Sequence, residues 1–394
     1  MVGSAAEPEA RRVGIATWEA VPMERTVELR TVALDPRARP HPNRRRGAAV
    51  GPRPRRCESS RVTHVSGVGS WPGESSREAI VAVRDLLLDA DGLGMPHLPE
   101  LPSRGPGADL VGRSAALLAD LSVDLQPSGW RFTDRPGRDL ARARSFMRRD
   151  LDELAEAYDG YAGPLKIQVA GPWTLAASIE LNRGERSITD EGARRDLVAS
   201  LAEGVRQHVG EVRRLVPGAV VTVQLDEPSI VSVLRGELPT ASGYGRVRPV
   251  DRVEVANGIR AVRESHDGDV VLHSCHPDAP VQVLAATGVT ALALDLTEAS
   301  PQRWEAIAAA VESGVRLWAG VVPVAAVGDS AGAVREATAR VLDGFGRVGL
   351  PVASLADVTV TPACGMPGLT PQGAIGVQRV AIDTARELTE KEQG

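Results

Sequence analysis

His273 and Cys275 stand two apart in the run Val270-Val271-Leu272-His273-Ser274-Cys275. In an extended strand such residues share a face, so this spacing sets an imidazole beside a thiol. Together they are half of a tetrahedral zinc site of the nitrogen-and-sulfur type. Cys364, 89 residues further on, ends another short apolar run and can close on the same ion. Asp295, at the end of an intervening run, is the expected fourth ligand, or the one that yields to a substrate. Zinc holds a bound thiol deprotonated at neutral pH, so such a centre makes a sulfur nucleophile without a dedicated base. The same residues also read as separate buried side chains, because free cysteine is commonly buried and inert.

Other polar residues fall in comparable places. Gly69-Ser70-Trp71-Pro72 follows the first apolar run, where the N–H groups of Gly69 and Ser70 can meet a carboxylate; alone, the segment is a turn. Gln224-Leu225-Asp226-Glu227-Pro228 ends a run of apolar and neutral residues. Asp226 there can hold an ammonium group, while the same three residues also suit a helix start. Trp173, after Gly171-Pro172, can stack on a flat ligand or pack in a core. His97, Glu100 and His276 read as solvated loop residues.

The elements that must position these residues are legible as alternating runs. Near-continuous apolar stretches, as in strands buried on both faces, occupy His64–Gly69, Lys166–Ala170, Val220–Asp226, Val270–Cys275, Ala291–Leu296, Arg316–Val322 and Val358–Thr361. An eighth strand is expected near His97–Leu101, and a hairpin or loop over 123–131. Between them lie helix patterns over 75–90, 108–121, 137–158, 189–215, 250–264, 280–287, 301–313, 330–346 and 371–389, with Gly and Pro at the joints. Eight strands alternating with helices point to an α/β fold of the (β/α)8 barrel type over 62–390. The rival is an open doubly wound sheet, weakened by the lack of a G-x-G-x-x-G after the first strand. In a barrel the loops after the strands form the active face, which is where the unusual residues fall.

Residues 1–61 differ in texture. They carry 12 Arg, no Lys and 7 Pro in the first 60 positions, without hydrophobic periodicity, and are expected to be a disordered leader. The whole chain of 394 residues has 43% hydrophobic and 25% charged residues, ordinary for a globular protein. Its net charge of −5 argues against a nucleic-acid binder. The most apolar stretch, 306–328, is broken by Glu312, Arg316 and Pro323, so no membrane span is expected. No signal-peptide core appears in the first 30 residues, which makes the cytoplasm the default compartment. Of the 46 basic residues only Lys166 and Lys391 are lysine, a bias that reads as GC-rich coding. Three cysteines, one of them Cys57 in the leader, do not make a disulfide framework.

Taken in order, Gly69-Ser70-Trp71-Pro72, Gly171-Pro172-Trp173-Thr174, Gln224 to Pro228, His273-Ser274-Cys275 and Pro362-Ala363-Cys364-Gly365 resemble the catalytic C-terminal barrel of cobalamin-independent methionine synthase. That family carries G-S-F-P, G-P-V-T, Q-x-D-E-P, H-x-C and P-D-C-G in the same order. The resemblance spans about Val62 to Leu388. Its wider superfamily includes uroporphyrinogen decarboxylase and zinc thiol methyltransferases.

The resemblance implies Zn2+ held by His273, Cys275 and Cys364. Where the family has a glutamate ligand, this chain offers Asp295, with Glu298 three residues on. Gly69, Ser70 and Asp226 match positions that grip the amino-acid part of homocysteine, and Trp173 falls where the folate side is lined. The implied reaction is methyl transfer to the homocysteine thiol, giving methionine, with methyltetrahydrofolate as donor. Two departures stand out. The full-length enzyme has two barrels and this chain has room for one. The family's proton-donor histidine after the next-to-last strand has no counterpart in Gly320-Val321-Val322-Pro323-Val324, so no catalytic acid is assigned. A single-barrel form can take its methyl from a corrinoid protein instead. A decarboxylase of the uroporphyrinogen type and a degenerate zinc-binding barrel without turnover are the rival readings.

Overall fold

Strand, loop and helix recur along the whole of the described chain, which in this computed structural model comprises residues 63–325 and 328–393. The expected leader lies outside them. The first elements are β1 (His64–Ser66), α1 (Ser76–Leu88), β2 (Gly94–Met95), α2 (Leu110–Ala115), the hairpin β3 (Ser122–Gln126) and β4 (Gly129–Thr133), and α3 (Arg138–Ala157). Next come β5 (Ala162–Ala170), α4 (Pro172–Ser178), α5 (Glu191–Leu215), β6 (Gly218–Asp226), α6 (Ile230–Arg235) and α7 (Arg252–Arg263). The last are β7 (Val270–Ser274), α8 (Val281–Ala285), β8 (Ala291–Asp295), α9 (Pro301–Glu312), β9 (Arg316–Val322), α10 (Ser330–Val348), β10 (Thr359–Pro362) and α11 (Pro371–Gln393).

Eight strands form one parallel sheet in the order β2-β1-β10-β9-β8-β7-β6-β5. Its two ends meet. Lys166 in β5 donates its N–H to the Pro96 carbonyl (2.8 Å), and Leu98 donates to the Lys166 carbonyl (3.0 Å). The segment just past β2 therefore closes the ring, giving the (β/α)8 barrel. This locates the eighth strand: β2 precedes the expected 97–101 run, which contributes isolated bridges at His97 and Glu100. The hairpin expected over 123–131 is present as antiparallel β3 and β4.

Local chemistry explains the boundaries. Side chains of Ser75, Asp109, Asp190, Asp251, Ser300 and Asp329 each accept from a backbone N–H at the start of a helix, satisfying donors that a helix leaves unpaired. Gly349 ends α10 in the left-handed region at φ 73°, a conformation that costs glycine little. Two short helices, α4 and α6, were not visible as patterns, because six or seven residues span fewer than two turns. Helix α2 is also shorter than the expected 108–121.

Strand parity sets the site. Trp318, Val271, Ala291 and Ala293 form their own buried cluster, with Met95 against it. A large ring opposite small alanines fills the barrel interior in the manner of such folds. Residues two further along β7 and β8 share that inward face. The parity that buries Val271 and Ala293 therefore carries His273, Cys275 and Asp295 to the carboxyl-terminal mouth.

No helix among the described residues is long and apolar enough to cross a membrane.

Candidate metal and substrate site

At that mouth His273, Cys275 and Cys364 converge, with one imidazole nitrogen and two Sγ atoms all within 4.8 Å of one another. Among the described residues no other cluster of this kind occurs. His273 is buried, with Nδ1 3.2 Å from the Ala293 carbonyl oxygen. A carbonyl only accepts, so Nδ1 carries the proton and Nε2 keeps its lone pair. A backbone partner of this kind fixes ring and tautomer for metal binding. The two thiols are tightly coupled. The Cys275 thiol and His273 hold Cys364 well below the usual thiol range, while the same bond to Cys364 and burial push Cys275 up. The pair thus yields its first proton readily, as a thiolate-binding ion requires.

The expected fourth ligand is not brought into this set. Asp295 does not come within 4.8 Å of all three donor atoms. Its Oδ1 accepts from the Thr297 N–H (2.9 Å) and hydroxyl (2.6 Å), which folds the carboxylate onto its own loop. Glu298 is exposed.

A cleft of ≈ 260 Å³ opens beside the three donors. Its polar wall is Gly69, Ser70, Glu100 and Asp226, and its apolar wall includes Val68, Leu110, Pro228 and Pro367. Among the described residues, the N–H groups of Gly69 and Ser70 have no acceptor in the chain, whereas both of their carbonyls are taken, by Glu100 and Met366. Asp226 sits opposite His273 in the β6–β7 register. Burial pushes its carboxyl up, and His273 and Lys166 pull it back.

Glu100, expected as a solvated loop residue, is instead a functional candidate. It is 2% exposed. Ser70 donates its hydroxyl to Glu100 Oε2 (3.4 Å), and Arg113 Nε stands 3.6 Å from Oε1. Burial raises its carboxyl to about 7, against the pull of Arg113. His97 is buried as well, its ring lying over Gly67, where a Cβ would come within 2.3 Å. Glu100 is brought to the site by its bridge to Ser70, a long-range pairing that periodicity in the sequence does not report.

Asp226 and Glu227 divide their duties. Glu227 is fully buried and accepts from the Trp173 N–H (2.9 Å), the Thr174 N–H (2.7 Å) and the Thr174 hydroxyl (2.7 Å). It caps α4 from a neighbouring strand. Burial raises it to about 7, opposed by these hydrogen bonds. Gly171 is required here, since a Cβ would lie 2.3 Å from Glu227 Oε1. Gly171→Ala must displace a carboxylate held by three donors, so a loss of about 1–3 kcal/mol is expected in denaturant unfolding. An unchanged midpoint would show that the cap yields freely.

Trp173 does not face the cleft. It is 1% exposed and its Nε1 donates to the Val255 carbonyl in α7 (2.9 Å). Its ring packs over Gly258, so it is a packing residue between α4 and α7. The expected ligand-stacking role is corrected by this orientation.

Beneath the cleft lies Lys166, at 0% exposure. The apolar run in the sequence starts at this residue, but β5 begins at Ala162, which places Lys166 mid-strand inside the barrel.

Residues 63–387 match the family described as cobalamin-independent synthase, catalytic domain. The chain belongs to this family. It is accordingly an enzyme of the methyltransferase type. No curated protein sequence matches it. Among solved structures, a B12-independent methionine synthase from a Shewanella species, in complex with selenomethionine, matches at TM-score 0.55 and 12% identity, over 84% of this chain and 99% of that one. At that identity the likeness speaks for the fold. A putative dihydrodipicolinate synthetase from Pseudomonas aeruginosa follows at TM-score 0.35 and 14% identity, covering 84% and 81%. A beta-mannanase from Alicyclobacillus acidocaldarius follows at 0.41 and 12%, covering 84% and 97%. Neither of these two bears on function.

Proposed function

We propose that the protein is a zinc-dependent S-methyltransferase that methylates the thiol of homocysteine to give methionine. The observation that carries this reading is one imidazole and two thiols converging within 4.8 Å beside a cleft walled by carboxylates and free N–H groups. The donor set fits zinc, which favours nitrogen and sulfur in fourfold coordination and in catalytic sites keeps a position for substrate. His273, Cys275 and Cys364 would hold it. When bound, zinc supplies a substrate thiol in its deprotonated, nucleophilic form.

The chain's own residues do the rest. Asp226 and Glu100 take the amino-acid ammonium, and the N–H groups of Gly69 and Ser70 take its carboxylate. That grip turns the side chain toward the three donors, so that binding does the orienting. The sulfur attacks the methyl carbon, a carbon–sulfur bond forms, and the old bond's electron pair leaves with the donor. The methionine-like ligand in the Shewanella enzyme's structure favours the same substrate class.

Methyltetrahydrofolate is the donor the family suggests, and its leaving nitrogen needs a proton. The end of β9 and the two residues after it read Gly320-Val321-Val322-Pro323-Val324, which offers no acid. That favours a second reading for the donor half, a methyl-corrinoid protein, whose leaving group needs no proton. A decarboxylase of the uroporphyrinogen type is disfavoured, since among the described residues no arginine lines the cleft.

The test is a methyl-transfer assay with homocysteine and zinc, offering methyltetrahydrofolate, its triglutamate and methylcobalamin side by side. Zinc-dependent methionine from at least one donor is expected. Zinc and homocysteine binding without methionine from any donor would make this a binding module.

A further inference from the structure

Lys166 is buried mid-barrel in a chain that otherwise uses arginine for nearly every cation, and nothing in the reaction outlined above employs it. Its ammonium is fully engaged. Nζ donates to the Val68 carbonyl (2.6 Å), to Gln224 Oε1 (2.8 Å) and to Gln168 Oε1 (3.3 Å). Each partner leads to the cleft. Val68 immediately precedes Gly69 and Ser70. Gln224, oriented by Lys166 at its oxygen, donates through Nε2 to Asp226 Oδ1 (2.7 Å) and to the Val68 carbonyl (2.8 Å). Gln168 donates to the Leu98 carbonyl (2.6 Å), two residues before Glu100. Strands β5 and β6 hold this in register, with Gln168 opposite Gln224 and Ala170 opposite Asp226.

We infer that Lys166 is a positioning residue for the ammonium end of the substrate, its single buried charge fixing the Gly69–Ser70 loop and, through Gln224, the carboxylate of Asp226. The inference rests on the amino-acid thiol reading above. A lysine serves here because a compact ammonium with three donors can satisfy three acceptors arrayed around it. Charge matters as well as geometry. The buried acids here are Glu100, Asp226, Glu227 and Asp150, of which Glu227 is held by the Trp173 and Thr174 donors, and the buried cations are Lys166, Arg113 and Arg104. Arg104 and Arg113 are engaged by Asp150 and Glu100, which leaves Lys166 as the counter-charge to Asp226. Burial lowers Lys166 to about 7, while Asp226 and Glu100 hold it up.

The experiment compares homocysteine with 4-mercaptobutanoate, which has the same thiol and carboxylate but no amine, by calorimetric titration of the zinc-loaded full-length protein. Lys166→Met should weaken homocysteine by about 10- to 100-fold and 4-mercaptobutanoate by less than about 3-fold. Gln224→Leu, which keeps the charge and breaks the link to Asp226, should weaken homocysteine by about 10-fold. Zinc content and the thermal unfolding midpoint verify folding, and Gln224→Leu decides if Lys166→Met does not fold. Variants that weaken both thiols equally, or neither, overturn the inference while wild-type binding leaves the substrate reading standing. A zinc-loaded wild type that takes no homocysteine defeats that reading, and the inference with it.

Discussion

Replacing Cys364 by serine should bring bound zinc well below one per chain and cut thiol methylation roughly a thousandfold. The size follows from what is removed. Residues that only support a ligand typically cost about 10- to 100-fold when lost, and Cys364 supplies a donor atom itself. Its Sγ belongs to the three-donor set within 4.8 Å. It is also the thiol that Cys275 and His273 hold below the usual thiol range. Serine keeps the size and loses the soft thiolate that zinc prefers. The Nδ1 contact of His273 with Ala293 is untouched, so the ring stays oriented and the loss isolates the sulfur. Metal analysis of the purified protein and a methylation assay check this together. Cys364→Ser with full zinc and full activity would remove it from the site.

Asp226→Asn separates substrate binding from metal binding. Homocysteine affinity should fall by about 10- to 100-fold, with zinc content unchanged. The substitution is isosteric, and its carbonyl oxygen still accepts from Gln224 Nε2, so what disappears is the charge facing the cleft. The thiol is placed by His273, Cys275 and Cys364, so the loss should appear as a raised KM with kcat within a few-fold, the pattern of lost uniform binding. Equal losses for homocysteine and 4-mercaptobutanoate would show that Asp226 holds something other than the amine.

The barrel and its three converging donors were legible because both rest on short-range rules. Apolar runs mark strands buried on two faces, and residues two apart in a strand share a side. His273 and Cys275 follow from parity alone, and the start of α9 from Ser300 and Pro301. Side-chain direction beyond the strand end was not legible. Trp173 stands one residue past a strand-end glycine and proline, as a ligand-facing residue would, yet the first turn of α4 rotates it outward onto α7. Asp295 ends its strand at the right height, but Thr297 two residues later draws its carboxylate back. Buried charge was the other blind spot. Lys166, Glu100 and Glu227 look like strand ends and loop residues by type, because charged side chains are seldom fully buried without partners. Apart from Gln168, two residues along β5 from Lys166, their partners lie 13 to 98 positions away, and no local pattern encodes them.

X-ray absorption at the zinc edge, on full-length protein loaded with one equivalent of zinc, tests the metal centre most directly. A coordination shell with two sulfurs and one imidazole nitrogen, gaining a third sulfur when homocysteine is added, is the expected result. A shell of oxygen and nitrogen only, or one that homocysteine leaves unchanged, would contradict it.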